Sequence, residues 1–219
     1  MVPEAELTRK LERACIKAGA DIVACADPIV LKQLSPHNRP EKFLTAIHTI
    51  VVVGIHLYDL VLDAWSQPPG AWKGYQFADQ ILEGICYRVK DFLGERNYAS
   101  VVVPYDGLFL KDAAAVAGIG PIGKNNLLLT PRFGPQVRLR AIVTAAPLAC
   151  GTPVTSSEFC LGCQRCIDAC PAGAFPEGRY DRVTCETYQL HHLIKISAYS
   201  TIWCNFCIES CPVGQDSKK

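Results

Sequence analysis

Cys160, Cys163, Cys166 and Cys170 are followed by Pro171, and Cys204, Cys207 and Cys211 are followed by Pro212, with Cys185 alone between the two runs. The first run has the spacing C-x2-C-x2-C-x3-C-P. This is the pattern of a bacterial 4Fe-4S ligand segment, in which three thiolates hold one cluster and the fourth reaches across to another. Eight thiols so spaced imply two clusters, and a segment of this kind folds around inorganic groups rather than around an apolar core of its own.

The spacing also assigns the ligands. A two-residue gap lets the chain wrap one corner of a cluster, whereas the three-residue gap and the proline turn the last thiolate outward. Cys160, Cys163 and Cys166 then take their fourth ligand from Cys211, which occupies in the second run the place of Cys170 in the first. The other cluster is left with Cys170, Cys204, Cys207 and, by elimination, Cys185. Zinc held by four thiolates also uses C-x2-C pairs, but it requires neither a triple run nor a proline after each last cysteine. The similarity of the segments Cys163–Pro171 and Cys204–Pro212 suggests the pseudo-symmetry of a two-cluster ferredoxin. Cys15, Cys25, Cys86 and Cys150 lie in apolar contexts and read as plain buried thiols.

Composition narrows the setting. The chain of 219 residues is 49% hydrophobic, enough for a sizeable core. Its 22 basic and 21 acidic residues leave a net charge of +1, so no general basic field points to a nucleic acid. Twelve cysteines would suit a small secreted disulfide protein. Here, however, most of them sit in cluster spacing, and the charged, amphipathic N-terminus does not read as a signal peptide. The longest apolar stretch, residues 49–65, is interrupted by His56, Asp59 and Asp63 and falls short of a membrane span. The expectation is a cytoplasmic protein with no membrane partner.

Upstream of the cysteines, strands and helices alternate. Helical spacing of Leu7, Leu11, Ala14, Cys15 and Ala18 predicts a first helix, and residues 21–26 a buried strand. Residues 48–56, β-branched and continuous, predict a strand covered on both faces. The Pro- and Gly-rich stretch 66–75 reads as an exposed loop. Phe77, Ile81, Ile85, Val89 and Phe92 mark a helix over 76–96. Residues 98–104 predict a strand and 109–118 a helix stopped by Gly118; residues 126–130 and 137–148 read as two strands able to pair as a hairpin. The fold class expected is therefore an α/β N-terminal domain, residues 1–149, followed by a ferredoxin-like domain with two 4Fe-4S clusters, residues 150–219, ending in a short disordered tail.

Residues 113–149, AAAVAGIGPIGKNNLLLTPRFGPQVRLRAIVTAAPLA, together with the cysteine segment and its solitary Cys185, resemble the epoxyqueuosine reductases and the corrinoid-dependent reductive dehalogenases. The same glycines also form G-x-G-x-x-G at Gly118, Gly120 and Gly123. A dinucleotide fingerprint, though, follows a strand and opens a helix, and here a helix precedes and a strand follows.

The resemblance implies a base-off cobalamin held between the two domains and reduced by the nearer cluster, with Gly120, Gly123, Lys124 and Asn125 close to it. It also implies an acid shortly before the glycine turn. Pro104 stands at that place, which moves the proton donor to Asp106 or Tyr105 or leaves none. The helical-repeat extension of many members is not seen, nor is a basic patch for tRNA. Tyr105, Asp106 and Lys111 at a strand end read as site residues or as a plain turn. His56, His191 and His192 read as structural more readily than as ligands.

The leading functional reading is an iron-sulfur oxidoreductase. It would receive electrons from a donor of ferredoxin or flavodoxin type and pass them to a small-molecule substrate or a corrinoid. The alternative is a dedicated electron carrier, or a reductase of a corrinoid partner, that turns over no small molecule itself.

Overall fold

The computed structural model describes residues 4–67, 69–70 and 74–214. In chain order the regular elements are α1 (Ala5–Lys17), β1 (Ile22–Ala26), α2 (Pro28–Leu34), β2 (Thr49–His56), β3 (Trp65–Ser66), β4 (Tyr75–Gln76), α3 (Phe77–Gly94), β5 (Ser100–Val102), α4 (Leu110–Val116), β6 (Val137–Thr144), α5 (Arg165–Asp168), α6 (Arg182–His191), β7 (Ile194–Lys195), β8 (Ser200–Ile202) and α7 (Phe206–Glu209). The expected 66–75 loop keeps its flanks in β3 and β4, while residues 68 and 71–73 lie outside the described residues, as do residues 215–219 of the expected tail.

The main sheet runs β1-β2-β6-β5, and every neighbouring pair is antiparallel. β2 is buried along nearly its whole length. Val51, Val53 and Ile55 point into a core shared with α1 and α3, while Ile50 and Val52 point into a second core shared with α2 and α4. A strand with both faces covered reads as a continuous β-branched run, which is what TIVVVGIH is. The result is a three-layer sandwich, helices on either side of one sheet.

Two sequence expectations need correcting. Residues 126–130 do not form a sheet strand; they make only the bridges Ile122 with Leu128 and Thr130 with Gly134. β6 is paired with β2 on one side and β5 on the other, so no edge remains for a hairpin partner. The buried stripe of α3 is Ala78, Leu82, Ile85, Cys86, Val89 and Leu93. Phe77 and Ile81 fall outside it and are exposed, because the helix carries two apolar stripes and the sheet covers the one centred on Leu82 and Val89.

Gly118 ends α4 as expected. It adopts φ +82°, its N–H donates to Ala115 and the Ile119 N–H donates to Ala114, a Schellman closure of the helix. A second, small sheet runs β4-β3-β8-β7. Trp65 pairs with Gln76 on one side and Thr201 on the other, so strands from the α/β region and from the cysteine region share one ladder. Among the described residues, no helix is long and apolar enough to cross a membrane.

Candidate iron-sulfur site

The two cysteine runs fold alike. α5 and α7 are four-residue helices that pack against each other and carry Cys166 and Cys207. The residue before each helix has nearly the same backbone, Gln164 at φ −126°, ψ −1° and Asn205 at φ −122°, ψ 8°. The residue after each also matches, Ala169 at −78°, −9° and Ser210 at −75°, −14°. A near-repeat of the sequence thus becomes a near-repeat of the backbone.

Cys160, Cys163, Cys166 and Cys211 line one pocket, together with Lys124, Asn125, Leu129, Phe159, Pro212 and Val213. The Cys166 thiol is pushed up by burial and then by the proximity of Cys160, Cys211 and Cys163. The other four thiols form a second neighbourhood. Cys207 is pushed up to about 12, first by burial and then by Cys204, Cys185, Cys166 and Cys170. The Cys204 thiol is raised by burial and by Cys185 and Cys170. Among the described residues no three His, Cys, Asp or Glu side chains converge on a point as a single ion requires.

Hydrogen bonds to sulfur surround the second set. The Gln189 Nε2 donates to Cys185 Sγ at 3.1 Å, one helical turn along α6, and the Ala174 N–H donates to Cys170 Sγ at 3.4 Å. The Tyr180 hydroxyl is raised by burial and by its hydrogen bond to Cys185. Asp181 caps α6 by accepting from Val183 and Thr184, which fixes the helix that presents Cys185.

The glycine turn faces the cysteines. Lys124 Nζ donates to the Cys163 carbonyl at 2.8 Å, and Asn125 Nδ2 reaches the Cys207 carbonyl at 3.4 Å. A Cβ on Gly120 would collide with the Leu129 carbonyl, and one on Gly123 would come within 2.7 Å of Leu129 Cδ1. Both glycines therefore serve close approach of the chain to itself. Lys111 donates to the carbonyl and side-chain oxygens of Asn126, at 2.9 and 2.6 Å, and so holds that residue at φ +60°.

Tyr105 and Asp106 lie in a turn after β5. The Tyr105 hydroxyl accepts from Arg138 Nη1 at 3.3 Å, whereas the Asp106 carbonyl accepts from His37 Nε2 at 3.0 Å. Arg138 is clamped in turn by Asp63 through a close Nε contact and an Nη2 contact of 2.5 Å; Asp63 also accepts from Gln76 at 3.0 Å. Asp63 and Arg138 are not evident as a pair in the sequence. The signal was there in VRLRAIVT, where two arginines alternate with apolar residues in a central strand. His56 stacks on Phe133 with centroids 4.4 Å apart, and His192 stacks on Tyr188 at the end of α6 at 4.0 Å.

A cysteine module of 4Fe-4S type built onto an antiparallel α/β sandwich is the class of protein that the fold and the thiol sets define. Residues 153–175 match the family model of the 4Fe-4S binding domain. The epoxyqueuosine reductase of Lactococcus garvieae is 31% identical over 207 residues, covering 84% of this chain and 57% of that protein. The tetrachloroethene reductive dehalogenase of Desulfitobacterium hafniense is 34% identical over 101 residues, covering 45% of this chain and 18% of that protein. A solved reductive dehalogenase, described in terms of B12-dependent dehalogenation, superposes with a TM-score of 0.69 at 16% identity, covering 95% of this chain and 32% of that one. The chain is a relative of the epoxyqueuosine reductases and reductive dehalogenases, and it spans about half or less of the length of these curated relatives.

Proposed function

We propose that the chain is an iron-sulfur oxidoreductase that conducts electrons through two 4Fe-4S clusters. One is held by Cys160, Cys163, Cys166 and Cys211, the other by Cys170, Cys185, Cys204 and Cys207. The observation that carries this reading is the division of eight thiols into two neighbourhoods of four, one of them lining a single pocket. When bound, the clusters supply reversible one-electron chemistry. The residues of this chain set its terms: Gln189 and Ala174 donate to ligand sulfurs, the paired short helices hold the ligand loops together, and Asp181 fixes the helix that bears Cys185. The proposed domain boundary lies near residue 149, although the small sheet joins the two parts.

A base-off cobalamin is the acceptor that the relatives' chemistry suggests. Gly120, Gly123, Lys124 and Asn125 do not fit as its cradle, since the glycines abut Leu129 and the two side chains engage the cysteine loops. If a substrate is protonated, Tyr105 is the proposed donor, because the Arg138 guanidinium orients its oxygen. The alternative of an electron carrier is favoured by the exposed Leu161, between Cys160 and Cys163, and by the exposed Phe206 beside Cys207, since both offer apolar surface to a donor or acceptor protein at the clusters.

Anaerobic protein should contain about eight irons from eight ligands and bleach on reduction. Cys185→Ala should lower the iron content toward half. A colourless zinc protein, or full iron content in the variant, would overturn the respective assignment. Added cobalamin tests the corrinoid as acceptor: a base-off spectrum would show a binding place other than the glycine turn, and an unchanged spectrum would remove the corrinoid from the enzyme reading.

A further inference from the structure

Lys124 is a cation built into the wall of the first thiol pocket. Its ammonium group donates to the carbonyl of Cys163 at 2.8 Å, and the residue lines the space shared by Cys160, Cys163, Cys166 and Cys211. The turn that carries it is fixed on both sides. The Leu129 N–H donates to Pro121 and the Gly123 N–H to Leu127, both at 2.8 Å. Asn125, only 4% exposed, ties the same turn to the other ligand loop through Cys207. The turn is therefore fixed beside the pocket, and the bond to Cys163 holds the ammonium group on that ligand loop.

A cluster gains one negative charge on each reduction, and a neighbouring cation favours the reduced form. The effect is larger in a partly buried pocket than in water. Lysine suits the task because its ammonium is a compact point charge, in contrast to the broad fork of arginine. Nothing about the pocket's fold calls for the charge itself, since a neutral amide could donate to the same carbonyl.

We propose that Lys124 is a positioning residue that sets the reduction potential of the cluster on Cys160, Cys163, Cys166 and Cys211, holding it higher than the thiol ligands alone would. It thereby favours electron entry at that cluster, at a point where the α/β region touches the cysteine module. This inference rests on the two-cluster reading above.

The test is potentiometric titration of the anaerobic, iron-loaded chain, followed by the paramagnetic signals of the reduced clusters, for wild type, Lys124→Arg, Lys124→Gln and Lys124→Met. One of two potentials should fall in Lys124→Gln and Lys124→Met while the other stays in place, and Lys124→Arg should restore most of the shift. A purely structural role would be rescued by Gln, which keeps the donor and loses the charge. Fully loaded Lys124→Gln with both potentials unchanged would overturn the proposal. If Lys124→Met loses iron, Gln and Arg still decide. A wild-type chain that takes up no iron would instead refute the two-cluster reading on which the proposal stands.

Discussion

Replacing Arg138 by Met should destabilise the protein by about 3 kcal/mol. Asp63 has a side chain only 4% exposed and accepts two charge-assisted bonds from Arg138, with Gln76 as its one other described side-chain partner. Each charge-assisted bond is worth about 1.5–3 kcal/mol, and breaking a buried pair by removing one partner costs about 3–5 kcal/mol because a carboxylate stays behind uncompensated. The Arg138 side chain is 27% exposed, so solvent screens part of the interaction and the lower end of that range applies.

For a chain of this size, 3 kcal/mol corresponds to a fall in Tm of about 6–12 °C. Thermal unfolding of the anaerobic protein measures it. The double variant Asp63→Leu, Arg138→Met should recover most of the loss, since an apolar pair leaves no stranded charge. A single variant within about 1 °C of wild type, or a double variant no better than the single, would refute the reasoning. Because Asp63 leads into β3 and β3 pairs with β8, the single variant should also release iron faster, through looser support of Cys204.

Gly120→Ala should cost about 1–3 kcal/mol by forcing the turn away from the Leu129 carbonyl, whereas Gly84→Ala, with open space around it on α3, should stabilise by about 0.5–1 kcal/mol. Equal melting temperatures for the two would show that the close approach is not a constraint. Cys15 and Cys86 are pushed up from 9.0 to about 12 by burial and should resist alkylation at pH 8, whereas Cys150, exposed rather than buried as its apolar context suggested, should react, which mass spectrometry of the native protein checks. Their raised folded values mean that the stability they contribute is fully present below pH 9.0 and lost as pH climbs from 9.0 toward 12. Rapid labelling of Cys15 at pH 8 would contradict that burial.

The cysteine spacing carried its geometry openly, because ligand runs are local and the backbone between their members has few ways to fold. Cys185, distant from both runs, lies near Cys204 and Cys207 in the fold. β2 was legible for a similar reason: a strand covered on both faces leaves an uninterrupted apolar signature. The role of the GKNN turn was not legible. Glycines that let a chain approach a ligand and glycines that let it approach itself look alike in sequence, and only the position of Leu129 separates them. The absent hairpin at 126–130 belongs to the same class, since whether a leucine-rich stretch pairs depends on which strand already occupies the edge. The Asp63–Arg138 contact joins residues far apart in the chain: the alternating arginines of VRLRAIVT mark a cation in a central strand but not its partner.

The small sheet that joins Trp65 to Thr201 bears on how the protein matures. Such long-range pairing forms late in folding, after the entropy of closing a large loop has been met. During synthesis Cys160, Cys163 and Cys166 emerge well before Cys211, and Cys170 before Cys204, so neither set of four thiols is complete until the last stretch arrives. A cluster delivered to the nascent chain would meet an unfinished coordination sphere. Loading therefore belongs after residues 204–211 have emerged and β3 has drawn them into place.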